Sequence, residues 1–159
     1  MAQQILEDEA PNSLAAAITE LEILQTNYAT ITKGENNHPF TECASFADSI
    51  KGQGYSFQAD WHFIDQPLLL DEGTQLSDFD YSMSVVDVHQ ALEALTAWLS
   101  NEGDYALSTY YTQIAGVFES EADQRSFALR LVIHYVGDIH QPLHAVSGVN
   151  SDYPTGDRG

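Results

Sequence analysis

Cationic side chains are scarce in this sequence: five Lys and Arg stand against 24 Asp and Glu, for a formal net charge of −19. Such a surface repels polyanions, because nucleic-acid affinity ordinarily comes from Lys and Arg displacing counterions. The scarcity excludes a basic-groove binder. Any chemistry on a phosphate chain needs another source of positive charge, and bound divalent ions are the obvious one. Cysteine is nearly absent as well. Cys43 stands alone, so no internal disulfide forms, which by itself favours a reducing compartment; a partner cysteine outside these residues would remove that inference. No apolar run is long enough to span a bilayer. Residues Met1 to Glu7 lack the basic start and apolar stretch of a signal peptide and read as the inside of a helix already under way.

What is present is ordinary for a globular protein. A chain of 159 residues with 43% apolar content is expected to form one domain, residues 1–159, around one core. Pro11 closes a first helix, and Asn12 or Ser13 can cap a second whose apolar face is Leu14, Ile18 and Leu21. A polar loop follows from about Asn27 to Phe40, then a short helix over Cys43 to Lys51 and a long acidic loop from Pro67 to Asp80. Val85, Val88, Leu92, Leu95 and Leu99 mark one helix stripe, and Leu107, Tyr110, Tyr111, Ile114 and Val117 another. Ser120 with Asp123 makes a variant capping box for a helix carrying Phe127, Leu131, His134 and Asp138 on one stripe. The tail from Val146 to Gly159 is turn-rich. With no repeat and no convincing strand pair, the expected class is all-α.

The chemistry concentrates in His134-Tyr-Val-Gly-Asp138-Ile-His140-Gln141-Pro142-Leu143-His144. His134 and Asp138 are four apart and project from one helix face, one turn apart. An imidazole nitrogen and a carboxylate oxygen so placed can hold one zinc, and the second carboxylate oxygen can bridge to another ion. His144, beyond the break at Pro142, is expected to point elsewhere and to serve a further metal. The bland alternative is an ordinary surface pair. The apolar flanks Leu131, Val132, Ile133, Tyr135 and Val136 weigh against it, because a buried His and Asp cost several kcal/mol without partners. Asp48, and His62 within Trp61-His62-Phe63-Ile64-Asp65, are weak signals when taken alone.

The stretch from His134 to His144 is similar to the signature of the class I zinc nucleases, the family of fungal nucleases S-one and P-one, plant bifunctional nucleases and protozoan 3'-nucleotidase/nucleases. Ala44-Ser45-Phe46-Ala47-Asp48-x-x-Lys51 resembles that family's Trp-Ala-Asp-x-x-Arg element, and His62-Phe63-Ile64-Asp65 resembles its His-aromatic-x-Asp element. The three occur in the family's order. The resemblance implies a helical zinc-nuclease or phospholipase C-like fold. It also implies that Asp48, His62, His134 and Asp138 ligate one zinc, that Asp138 is shared with a second, and that His144 ligates a third. Lys51 takes the place of an Arg near the scissile phosphate, keeping the charge but losing the bidentate fork. Phe63 and Asp65 match positions that stack on and hydrogen-bond a nucleobase. His140 matches no ligand and reads as a structural or supporting histidine.

The family pattern begins with Trp-Gly and a nearby His and continues past Gly159 with a further His and Asp, so the chain resembles a fragment cut at both ends, with one of three zinc sites complete and little activity of its own. For the complete protein the resemblance implies hydrolysis of single-stranded DNA or RNA to 5'-phosphorylated products by metal-assisted attack of water on phosphorus, in a secreted or lumenal monomer. The rivals are a zinc phospholipase C-like lipid phosphodiesterase, against which Asp65 beside Phe63 and the lack of an amphipathic membrane face both argue, and an inactive acidic metal- or partner-binding helical domain. With so few cations, substrate affinity of the complete protein is expected to change little between about 50 and 200 mM salt, the range over which basic binders lose roughly 10³–10⁵. A steep loss in a salt titration would contradict this.

Overall fold

The structure is a computed structural model that describes residues 2–157, the first of them by its backbone alone. Met1, Arg158 and Gly159 lie outside the described residues. The helix at the centre is α7 (Glu121–Asp138), which packs against α2 (Pro11–Asn27), α4 (Phe46–Lys51), α5 (Val88–Ser100), α6 (Thr109–Ala115) and the 3₁₀ turn Cys43–Ser45. Its apolar side chains Phe127, Leu131 and Tyr135 recur every four residues and are fully buried, facing a core that includes Leu21, Leu24, Phe46, Ile50, Trp61, Leu95, Trp98 and Ile114. Two short helices, α1 (Ala2–Glu9) and α3 (Pro39–Glu42), pack on α2, and α8 (Pro142–Ala145) follows α7 after a break.

The expectation of a helical protein holds, with local differences that have identifiable causes. Pro11 does not merely end α1. It occupies the first turn of α2, where its missing N–H and fixed φ suit the helix start, so neither Asn12 nor Ser13 caps and only Ala10 separates the two helices. The box at Ser120 does not form, because the Asp123 carboxylate instead accepts a 2.7 Å bond from Asn27 Nδ2 across the interface with α2. Asp87 caps α5 by accepting from the Gln90 N–H at 2.7 Å. Val85 precedes that cap and is 89% exposed, and Trp98 joins Val88, Ala91 and Leu95 on the buried stripe. Leu107 likewise precedes the Ser108 cap of α6 and stays exposed.

The segments expected to be irregular contain a strand pair. β1 (Gln66–Leu69) and β2 (Val146–Val149) pair in parallel, Gln66 opposite Val146 and Leu69 opposite Val149. Four residues each, with Pro67 in one and Gly148 in the other, leave no alternation to detect, and parallel strands need a long crossover. The pair fastens the segment after His62 to the segment after α8, placing the His62 and His144 regions side by side.

One buried ion pair holds the central helix to the loop after α2. Arg130 is fully buried, and its Nε and Nη2 donate to the two Glu35 oxygens at 2.8 and 2.6 Å. The same guanidinium donates to Ser126 Oγ and O and to the Leu21 carbonyl, so all five N–H groups have acceptors. Arg130→Leu is therefore expected to lower unfolding stability by about 3–5 kcal/mol, the cost of stranding a buried partner charge. Arg130→Leu with Glu35→Leu should recover most of that in urea titrations. A single variant as stable as the unaltered chain would contradict this account.

Candidate metal centre

Three elements deliver the site. Asp48 sits in α4 and His62 at the end of the 3₁₀ segment Ser56–His62, while His134 and Asp138 lie one turn apart near the end of α7. Ligand atoms of Asp48, His62 and His134 all lie within 4.8 Å of one another. Asp138 Oδ2 is 2.8 Å from His62 Nδ1 and 3.1 Å from His134 Nε2, and those two nitrogens are 3.2 Å apart. Asp48 oxygens stand 3.9 Å from His62 Nδ1 and 3.7 Å from His134 Nε2. Atoms bound tetrahedrally to zinc at 2.0–2.2 Å are roughly 3.3–3.6 Å from each other, and the observed separations bracket that range. His62, His134 and Asp138 are buried, whereas the Asp48 side chain is 63% exposed and forms the open side.

The outer hydrogen bonds fix which nitrogens face inward. His134 Nδ1–H donates to the Ala44 carbonyl at 2.5 Å, so Nε2 is the inward atom. His62 Nε2 meets Gln58 Oε1 at 2.7 Å, so Nδ1 is the inward atom. Two imidazole nitrogens and a carboxylate oxygen thus converge with no protein donor of their own beyond one shared proton. That is the donor set a divalent cation accepts, and the residues present fit zinc on this ground.

Electrostatics express the same crowding. Burial is the largest influence on Asp138 and pushes its carboxyl upward, but its contacts with the ring nitrogens of His134 and His62, and their charges, outweigh it and hold the group well below the ordinary carboxylate range. On His134 burial favours the neutral ring, yet the Asp138 hydrogen bond, the Ala44 carbonyl and the charges of Asp138 and Asp48 together raise its pKa above 6.5. His62 goes the other way: burial dominates over its bond to Asp138 and lowers it. The two shifts favour a proton on His134 over one on His62.

The remaining residues surround this point. Lys51 Nζ donates to Asp48 Oδ1 at 2.9 Å, one helical turn along α4, which puts a cation at the open side. His144 does not turn away from the cluster as expected. Its Nδ1 donates to the His62 carbonyl at 3.2 Å and lies 3.5 Å from Asp138 Oδ1, because the strand pair draws the segment back. That leaves Nε2, on the opposite edge of the ring, as its lone-pair nitrogen. His140 is exposed, and its Nδ1 donates to the Val136 carbonyl at 2.6 Å, closing the last turn of α7. Phe63 packs its ring 4.7 Å from that of His144 and, with Asp65, lines a cleft of about 240 Å³ completed by Asp60, Tyr81, Ser82, Met83 and Ser84. Asp65 adopts a left-handed backbone (φ 53°), and the Tyr81 hydroxyl donates to its carbonyl. The cleft is smaller than the roughly 300–1,000 Å³ typical of ligand sites and suits a single ring system. Sequence reasoning missed Gln58, whose position four residues before His62 was a usable signal, and Tyr81 and the Ala44 carbonyl, for which there was none.

In the metal-free chain the two shifts have opposite consequences for stability. The depressed Asp138 value adds stability above 3.8 that is lost as pH falls through it, whereas the raised His134 value adds stability below 6.5 that is lost as pH rises through it. His134 is expected to titrate above 6.5 and His62 below it in NMR of the ring Cε1–H protons. Asp138→Asn should bring the His134 midpoint down, and an unchanged midpoint would refute the pairing.

No curated protein and no solved structure matches the chain. The family model described as S1/P1 Nuclease matches residues 1–159, the whole length. With helices bringing His and Asp side chains to one point, the chain belongs to the S1/P1 nuclease family, whose members are helical, zinc-dependent nucleases.

Proposed function

We propose that this nuclease is a zinc-dependent phosphodiesterase acting on single-stranded DNA or RNA at the 3' oxygen and releasing 5'-phosphorylated products. The observation that carries the reading is the inward convergence of His62 Nδ1, His134 Nε2 and Asp138 Oδ2, with Asp48 on the open side, next to the Phe63 cleft. Asp48, His62, His134 and Asp138 hold the zinc. His144, whose Nε2 is its lone-pair nitrogen, would hold a further ion of the three that the family resemblance implies. Bound zinc supplies Lewis acidity toward the phosphate and an activated water.

This chain's residues account for selectivity. Lys51, paired to Asp48 at the open side, would meet a phosphate oxygen. Phe63 offers a ring face and Asp65 a hydrogen-bond acceptor to a base in the cleft, and a base must leave a duplex stack to reach them, which favours single strands. A 3'-nucleotide presents the same base and ester, so 3'-nucleotidase activity belongs to the same reading. Two carboxylates and two serines in the cleft lining favour a base over an acyl chain. Among the described residues no helix is long and apolar enough to cross a membrane. Family membership supports a secreted or lumenal setting.

Among the described residues one group of three or more candidate ligands converges. The chain is therefore expected to bind about one zinc, and to turn over little substrate, since two-metal displacement needs a second ion about 3.5–4 Å away. Elemental analysis should show that zinc lost in His134→Ala and in Asp138→Ala. In a nuclease-active preparation either change should lower kcat/KM on single-stranded DNA by more than about 100-fold, beyond the effect of outer-sphere changes. Zinc retained by both variants would overturn the ligand assignment, and equal cleavage of duplex and single strands would overturn the substrate assignment.

A further inference from the structure

Gln58 is fully buried and all of its amide groups are engaged. Its Nε2 lies 2.8 Å from the Ala47 carbonyl. A carbonyl can only accept, so this end of the amide is the NH2 and the other end is the oxygen. That oxygen is 2.7 Å from His62 Nε2 and 2.7 Å from the Tyr135 hydroxyl. An amide oxygen can only accept in turn, so His62 Nε2 must carry a hydrogen, and Nδ1 is the nitrogen left to offer a lone pair to an ion. One side chain therefore connects the helix of Asp48, the segment of His62 and the helix of His134 and Asp138, and dictates which His62 nitrogen faces them.

We propose that Gln58 is a positioning residue for the metal centre: through the Ala47 carbonyl it locks its own amide orientation, and through Oε1 it selects the Nε2–H form of His62, presenting Nδ1 as a donor to the ion. This rests on the assignment of His62 as a ligand. The Tyr135 hydroxyl, buried at the same oxygen, keeps Oε1 aimed between the two rings. Without the acceptor, His62 has no reason to keep its proton on Nε2. A hydrogen on Nδ1 would point at Asp138 Oδ2, 2.8 Å away, and close the site to a cation.

The test separates selection of the donor nitrogen from simple packing. Gln58→Met keeps the volume and removes the acceptor. Gln58→Glu keeps the acceptor but loses the donor to Ala47 and buries a charge, so a purely structural role makes it the worse of the two. Zinc affinity, measured by competition with a chromophoric chelator, is expected to fall about 10–100-fold in Gln58→Met, the usual effect of removing a ligand's outer partner. In Gln58→Glu it should stay within a few-fold of the unaltered chain, although that variant unfolds at lower temperature. Ring ¹⁵N shifts of His62 in the unaltered, metal-free chain should report hydrogen on Nε2, a readout that needs no variant to fold. Hydrogen on Nδ1, or zinc affinities that follow unfolding temperature in both variants, would overturn the role of Gln58 alone. Failure of the unaltered chain to bind zinc would overturn the metal reading and this inference with it.

Discussion

A ladder of buried polar groups along α7 organises this molecule. Ser126, Arg130, His134 and Asp138 follow one another at intervals of four, all buried, beside the apolar series Phe127, Leu131 and Tyr135. Unpartnered, such groups cost several kcal/mol in aggregate, so each forces a neighbouring element into position. Ser126 donates to the Glu20 carbonyl of α2, and Arg130 clamps Glu35. His134 donates to the Ala44 carbonyl, and Asp138 Oδ2 lies within 3.1 Å of a ring nitrogen of each histidine. The first two rungs assemble the helices and the last two assemble the metal centre. The site is thus the continuation of the structural brace, on the same face of the same helix.

The charge balance follows from this arrangement. Of the five cationic residues, Arg130 is neutralised by Glu35 and Arg125 donates to the Trp98 and Leu99 carbonyls at the end of α5. Among the described residues Lys51 is the cation at the centre, and it is already paired with Asp48. Side chains alone therefore supply little positive charge where a phosphate would sit. The converging acceptors show where an ion would restore it, and the same anionic surroundings that repel a polyanion favour a divalent cation at that point. Cys43, fully buried beside Glu35 and Arg130, takes no part: burial above all, with the Glu35 charge, pushes its thiol up to about 12, so it stays protonated and packs as a small apolar group.

The all-helical class, the burial of the helix ending at Asp138 and the shared face of His134 and Asp138 were legible in the sequence, whereas Asp48, His62, Phe63 and Asp65 joined them only through the resemblance to the family's motifs. Helical period and motif spacing are local properties, and a residue four positions along a helix shares a face whatever surrounds it. What the chain could not reveal alone were features whose partners are far apart. The pairing of β1 with β2 joins residues 80 positions apart at Gln66 and Val146 and carries no alternation, yet it turns His144 toward Asp138. The helix after Ser120 starts where expected, but its expected capping bond does not form because a tertiary partner, Asn27, takes the Asp123 carboxylate. The sequence by itself determined which side chains can bind a metal. Only the tertiary structure decided which atoms of them face it, because the choice between two imidazole nitrogens is made by a distant carbonyl at Ala44 and a buried amide at Gln58.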